Sequence, residues 1–300
     1  MKTGSTPTSY LALAAVLFCA APACADNIYV ADYDGTIEKF DSSGGAGSMF
    51  ASVGVNGPYG LAFDSSGTLF VATYVNNTIQ KFNSSGVPTT FATTGLNGPF
   101  DIAFDSSGNL FVANSGSASI MKYNSSGVGT VFTSMFLSYP FGLAFDHNGN
   151  LYVANAGTYY SILKYSQGGA GSVFVPNMSY GPQGMAFDSS GNLYVAVVTI
   201  GEIVKYNSSG VGTVFASGLV QPENLAFDSS GNLYVADYGN NQIMKYGANG
   251  VGTVFASGLA GPVGIAITVP EPSTWAMLVL ALGAAFGGYR KRANRRVHNV

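Results

Sequence analysis

The sequence predicts an all-β fold, a six-bladed β-propeller with four antiparallel strands per blade. Three observations carry this. A proline recurs at Pro58, Pro99, Pro140, Pro182, Pro222 and Pro262, in steps of 40 to 42 residues, which is the period of a propeller blade. Each unit holds four short apolar runs divided by Gly-, Asn- and Asp-containing turns. The forty glycines and only 9% charged residues suit a chain of short strands and tight turns.

The elements follow in order within one unit. Gly184–Phe187 reads as a first, inner strand and Asp188–Gly191 as a turn. Asn192–Ala196 is a second strand, with Leu193 and Val195 alternating. Ile203–Tyr206 is the third, Asn207–Gly210 another turn, and Thr213–Ala216 the fourth. Tight turns between β-branched and aromatic runs make antiparallel hairpins. A single sheet of this kind cannot bury both faces, whereas radial stacking buries them and ring closure removes the exposed ends. The chain enters on a second strand, Asn27–Ala31, continues through Ile37–Phe40 and Met49–Ser52, and leaves on a first strand, Gly264–Ile267. Three strands from the front and one from the back complete the sixth blade, a 3+1 closure. Loss of either end is expected to open the ring.

Both termini read differently from the repeat. Residues 1–25 carry Lys2, an apolar stretch from Leu11 to Ala21, and Ala23-Cys24-Ala25, which is the pattern of a secretory signal cut before Asp26. A lipobox reading would need Cys19 or Cys24, where Phe18 and Pro22 fit badly. These are the only cysteines, so the expected mature chain has no disulfide, no cysteine-held metal and no thiol nucleophile. The propeller is expected over residues 26–268. That span holds fourteen acids, six lysines and no arginine, a formal charge of −8, which argues against nucleic-acid binding. Residues 269–300 form a tail: Val269-Pro270-Glu271-Pro272, then fourteen apolar or small residues from Trp275 to Gly288, then Tyr289-Arg290-Lys291-Arg292. As a helix the apolar stretch is about 21 Å long, short of a bilayer core of about 30 Å.

The repeated pattern P-x-G-[LI]-A-F-D-x-x-G-N-L-[YF]-V-A-[DN], followed by I-x-K-[YF], resembles the NHL-type six-bladed propellers over residues 26–268. That resemblance implies the fold, while its functions range from lactonases and lyases to plain binding modules. The tail, with Val269, Pro270, Glu271, Pro272 and the basic Arg290, Lys291 and Arg292, resembles the PEP-CTERM sorting signal. That implies processing by an exosortase-type membrane protease, transient membrane contact through the tail, and export to the surface or exopolysaccharide matrix of a Gram-negative bacterium. The other reading of the tail is an ordinary C-terminal anchor, which stays on the mature protein.

Candidate sites separate into repeated and variable positions. The repeated Asp64, Asp105, Asp146, Asp188 and Asp228 read as caps of their own turns, and the one lysine per unit as a stem over apolar surface. Asn83, Asn124 and Asn207 match a glycosylation sequon formally and read as turn residues. His147 is the only histidine before the tail, so neither a Ser-His-Asp triad nor a histidine metal site can form. The variable loops gather on one face, and with them Tyr33, Tyr59, Tyr74, Phe100, Phe141, Tyr159, Tyr160, Gln183, Glu223 and Tyr238. Aromatics beside polar groups on a rigid scaffold suit stacking on sugars or gripping a peptide. A second constellation, Asp32, Asp101, Asn114, Asn155, Asn224 and Asp237, is expected at the channel mouth. These are hard oxygen donors that can hold one calcium or similar ion, or act as caps at strand ends.

The sequence therefore points to an exported, monomeric, non-enzymatic binding or scaffold propeller, its ligand a polysaccharide or a protein, with no obligatory cofactor. A gluconolactonase-like, calcium-type hydrolase or lyase is the alternative reading, and a purely structural matrix protein is the third.

Overall fold

The computed structural model describes residues 26–54, 57–157 and 159–268. The expected signal at 1–25 and the tail at 269–300, including the whole sorting motif from Val269 to Arg292, lie outside the described residues. What is described is six four-stranded antiparallel sheets, with no α-helix among the described residues.

The fifth blade is representative. Its strands are Pro182–Phe187, Leu193–Val197, Glu202–Tyr206 and Gly212–Ala216, hydrogen-bonded in that order. The innermost strand begins at the proline, two residues before the expected Gly184. Proline is tolerated there because the strand's inner edge faces the axis and needs no partner for its nitrogen. Blades two, three, four and six repeat the plan from Pro58, Pro99, Pro140 and Pro222. Blade one is composite: Asn27–Asp32, Thr36–Asp41 and Ser48–Ser52 are completed by Pro262–Thr268 as the innermost strand. The closing pairs run from Asn27–Thr268 to Ala31–Gly264. Asp26 reinforces the seam by accepting hydrogen bonds from the Ser229 amide at 2.8 Å and hydroxyl at 2.7 Å. The innermost strands touch their neighbours in a closed cycle around the axis.

The core is divided into six clusters, each shared by two adjacent blades. One holds Ala31, Ile37 and Ala51 of blade one against Leu69, Val71 and Phe82 of blade two. Aromatic triads repeat at these seams. Tyr194 meets Phe215 of its own blade at 4.9 Å and Phe227 of the next blade at 5.0 Å, both edge to face. Each such pair contributes about 0.5–1.5 kcal/mol beyond burial. The consequence is a rigid ring with two distinct ends: an upper end, where innermost strands start at the prolines, and a lower end, where the repeated Asp turns lie.

Candidate functional site at the upper mouth

The mouth is built by a local irregularity repeated in every innermost strand. Pro182 pairs with Val197 and the next pair is Met185 with Val195, so three residues oppose two. The same slip lies between Pro58 and Leu61, Pro99 and Ile102, Pro140 and Leu143, and Pro222 and Leu225. A bulge of this kind re-aims side chains and bends the strand. The residue after each proline belongs to this bulge: Tyr59, Phe100, Phe141, Gln183, Glu223 and Val263, one per blade.

Three of these rings meet across blade boundaries. Tyr59 stacks on Phe100 with centroids 4.3 Å apart and planes at 25°, and Phe100 meets Phe141 at 4.4 Å and 41°. The next two blades supply polar groups, and the Gln183 amide Nε2 donates to Glu223 Oε2. Burial pushes the Glu223 carboxyl up to about 7. Burial, and then the neighbouring Tyr33, Glu223, Tyr238 and Tyr74, push the Tyr59 hydroxyl well above its ordinary range. The mouth therefore has an aromatic half and a polar half, and the Glu223 charge is felt at the Tyr59 hydroxyl.

Loop tyrosines extend the aromatic half outward. Tyr33 lies edge to face with Tyr59 and with Tyr238, each at 6.3 Å. Tyr74 meets Tyr59 at 5.7 Å and Phe100 at 6.4 Å. Tyr33 and Tyr74 remain about 40% exposed (41% and 40%). Of the ten expected ligand-face residues, eight are thus linked by ring contacts or by the Gln183–Glu223 bond. Tyr159 and Tyr160 stand apart, since neither takes part in the described ring pairs; Tyr159 is 76% exposed and Tyr160 packs beside Gly181.

The oxygen-donor constellation is used differently. Residues two after the proline are aimed at the next blade. A Cβ on Gly60 would sit 2.6 Å from Asp101 Cα, and one on Gly264 would strike the Tyr59 carbonyl, which is why glycine holds most of these positions. Asp101, buried at this constriction, accepts from its neighbour Ile102 N at 2.9 Å and across the seam from Leu143 N at 2.8 Å. Burial nevertheless drives its carboxyl up to about 7. Asn224 accepts from Leu225 N at 2.7 Å. Asn114, Asn155 and Asp237, at the ends of second strands, latch the crossover that leads into their own blade. They accept from Asn97 N at 3.3 Å, Ser138 N at 2.6 Å and Val220 N at 2.7 Å. Each latch spans the same seventeen positions. Asp32 is the equivalent at the closing seam. Neither of its oxygens closes a well-formed hydrogen bond, and burial first, moderated by the Ala260 amide, raises its carboxyl to about 7. The hydrogen-bonded members are engaged by separate backbone amides, and no three Asp, Glu, His or Cys side chains among the described residues group closely enough for a metal.

The lower end is uniform. Asp188 accepts from Ser190 N at 3.0 Å and Asn192 N at 2.8 Å. Lys205 lies 3.4 Å from Asp188 and 5.0 Å above the Tyr194 ring. The arrangement recurs at Lys122, Lys164 and Lys245. In these four blades the repeated aspartate and the repeated lysine are therefore one structural unit, a pairing that spacing alone does not reveal. His147 sits in the lower turn of blade four, at the far end from the mouth. The clefts here, of about 150 and 340 Å³, are lined mainly by these repeated residues, with Ser166 and Gln167 peculiar to blade four.

Comparisons with known proteins agree with this architecture. Residues 219–246, which run from the entry of blade six to the end of its third strand, match the NHL repeat, and residues 268–293 match the PEP-CTERM protein-sorting motif. The latter marks the chain as exported and as a substrate for exosortase processing. No curated protein matches the chain in sequence. Among solved structures, a chain of the nidogen/laminin complex superposes with a TM-score of 0.74 at 22% identity, covering 82% of this chain and all of that one (100%). Virginiamycin B lyase from Staphylococcus aureus gives 0.61 at 15% identity, covering 78% and 81%. A streptogramin B lyase gives 0.56 at 16% identity, covering 79% and 91%. At these identities the likeness is one of fold.

Proposed function

We propose that this protein is an exported, non-enzymatic binding module, held at the cell surface or in the exopolysaccharide matrix, whose ligand docks on the upper mouth. The observation that carries the reading is the stacked arc of Tyr59, Phe100 and Phe141 beside the hydrogen-bonded Gln183 and Glu223. These are equivalent positions of successive repeats. On a scaffold whose other positions are nearly copied from blade to blade, they are where chemistry varies, and variation on a rigid frame is how binding surfaces are made. The nidogen/laminin likeness is compatible with a propeller that serves recognition.

The lyase likeness is weaker support for catalysis. One solved form of the S. aureus enzyme, with a histidine replaced by alanine, is described as catalytically inactive. The single described histidine here, His147, lies at the opposite end from the mouth.

The test is binding of the full-length protein to exopolysaccharide matrix extracted from the producing cells. Tyr59→Ala and Phe141→Ala should each weaken retention at least about tenfold, the scale of one buried interface anchor. Gln167→Ala, at the lower end, should leave it unchanged. Retention indifferent to both mouth substitutions would sink the proposal.

A further inference from the structure

Charge is segregated along the axis of the propeller. Each of the six lysines lies one or two residues before the end of a third strand, in the lower half, and four of them are bound to lower-turn aspartates. The upper end carries Asp32, Asp34, Asp101, Glu202, Glu223 and Asp237, with no lysine or arginine among its described residues. Only one of these acids belongs to the ring around the mouth. Glu223 is held there by a neutral amide, that of Gln183, in an environment that penalises its charge. A carboxylate so placed is a poor neighbour for another anion and a good one for a cation.

The rings narrow the choice of cation. Phe100 has Tyr59 against one side and Phe141 against the other, at 4.3 and 4.4 Å. The Phe100 faces are already used, so this ring offers an edge rather than an open platform for a pyranose. Ring edges accept the alkyl stem of a long side chain, while its charged head continues to a carboxylate. The spread of the surface out to Tyr33 and Tyr74 fits an extended chain rather than an enclosed small molecule.

We propose that the ligand of this mouth is a basic polypeptide segment, one Arg or Lys side chain of which packs its stem on the Phe141 and Tyr59 edges and brings its cation to Glu223. The inference rests on the upper mouth being the binding face and adds the chemical class of what binds.

The experiment is calorimetric titration of the full-length protein with four probes: a short capped peptide alternating Arg and Gly, the same peptide with Glu for Arg, a glucosamine oligosaccharide and a cellulose oligosaccharide. The Arg peptide should bind, and Glu223→Gln should weaken it at least about tenfold, with a Tm no lower than that of the unmodified protein as the check on folding. Its affinity should fall steeply between about 50 and about 300 mM salt, as ion pairing at a partly exposed site requires. The Glu peptide should not bind. Arg-peptide affinity that survives Glu223→Gln overturns the inference. Binding of either oligosaccharide but not of the Arg peptide also overturns it, and if that binding is lost in Tyr59→Ala the mouth itself stands as the site. Failure of every probe overturns the basic-peptide assignment, while the matrix-retention test judges the site separately.

Discussion

The rings of Tyr59 and Phe100 are stacked at 4.3 Å although they lie one full repeat apart in the chain. They touch because the bulge after each proline sends equivalent side chains from successive blades to the same upper mouth. A position that varies in sequence thus becomes a composite surface in space, and the identity of each repeat is spent there.

Phe100→Ala should remove the ring sandwiched between Tyr59 and Phe141 and open a gap in the arc. For a half-buried aromatic the expected cost is about 2 kcal/mol, below the full-burial range, read as a fall of a few degrees in Tm. Phe100→Tyr should retain most of the stability. A destabilisation equal for both variants would show that the stack is not the source.

Stability should depend on pH in an unusual direction. Asp32, Asp101 and Glu223 have carboxyls raised to about 7 in the folded chain, against about 4 when unfolded. Between these values the native state binds more protons, so stability falls as pH rises from about 4 to about 7. Asp105, Asp146 and Asp188 act oppositely. Burial raises them, but hydrogen bonds and the facing lysines outweigh it and hold them below the ordinary range. Their contribution is present above about pH 4 and lost below it. Tm should therefore be higher at about pH 5 than at about pH 8, and should drop again toward about pH 3. Glu223→Gln should narrow the difference between pH 5 and 8. A protein more stable at pH 8 than at pH 5 would contradict the burial of these acids.

The lower turns should respond to loss of the acid more than of the base. Asp188→Ala strands the Ser190 and Asn192 amides and should cost about 1–2 kcal/mol. Lys205→Met keeps the stem over Tyr194 and gives up only a pair whose lysine side chain is 34% exposed, worth less than about 1 kcal/mol. Chemical denaturation of the two variants compares them directly.

Asn114, which is fully buried, holds the crossover of blade three through Asn97 N and the Gly95 carbonyl, the latter at 2.7 Å. Asn114→Ala should cost about 2–3 kcal/mol, and the loss should be the same in calcium and in chelator. A Tm of the unmodified protein that climbs with calcium would instead mean that these oxygens ligate a metal.

The architecture was open to reading in the sequence because every blade repeats it: the proline period, the Asp turns and the 3+1 closure all follow from residue order. The mouth was harder. The residue after each proline was expected on the variable loop face, and the one after that at the channel mouth. The bulge separates them, sending Phe100 to the mouth and Asp101 toward the next blade. Tyr159 and Tyr160 take part in none of the described ring pairs, so the ring contacts do not reach their loop. The split into aromatic and polar halves is visible in the order Tyr59, Phe100, Phe141, Gln183, Glu223 and Val263, but only once those six are known to share one mouth.

The central claim is that the ligand sits on this mouth, and hydrogen exchange of the full-length protein with and without matrix material tests it most directly. The account predicts slowed exchange in the segments around Tyr33, Tyr74, Phe100 and Gln183, with the lower turns at Asp105, Asp146 and Asp188 unchanged. Protection confined to the lower turns would contradict it.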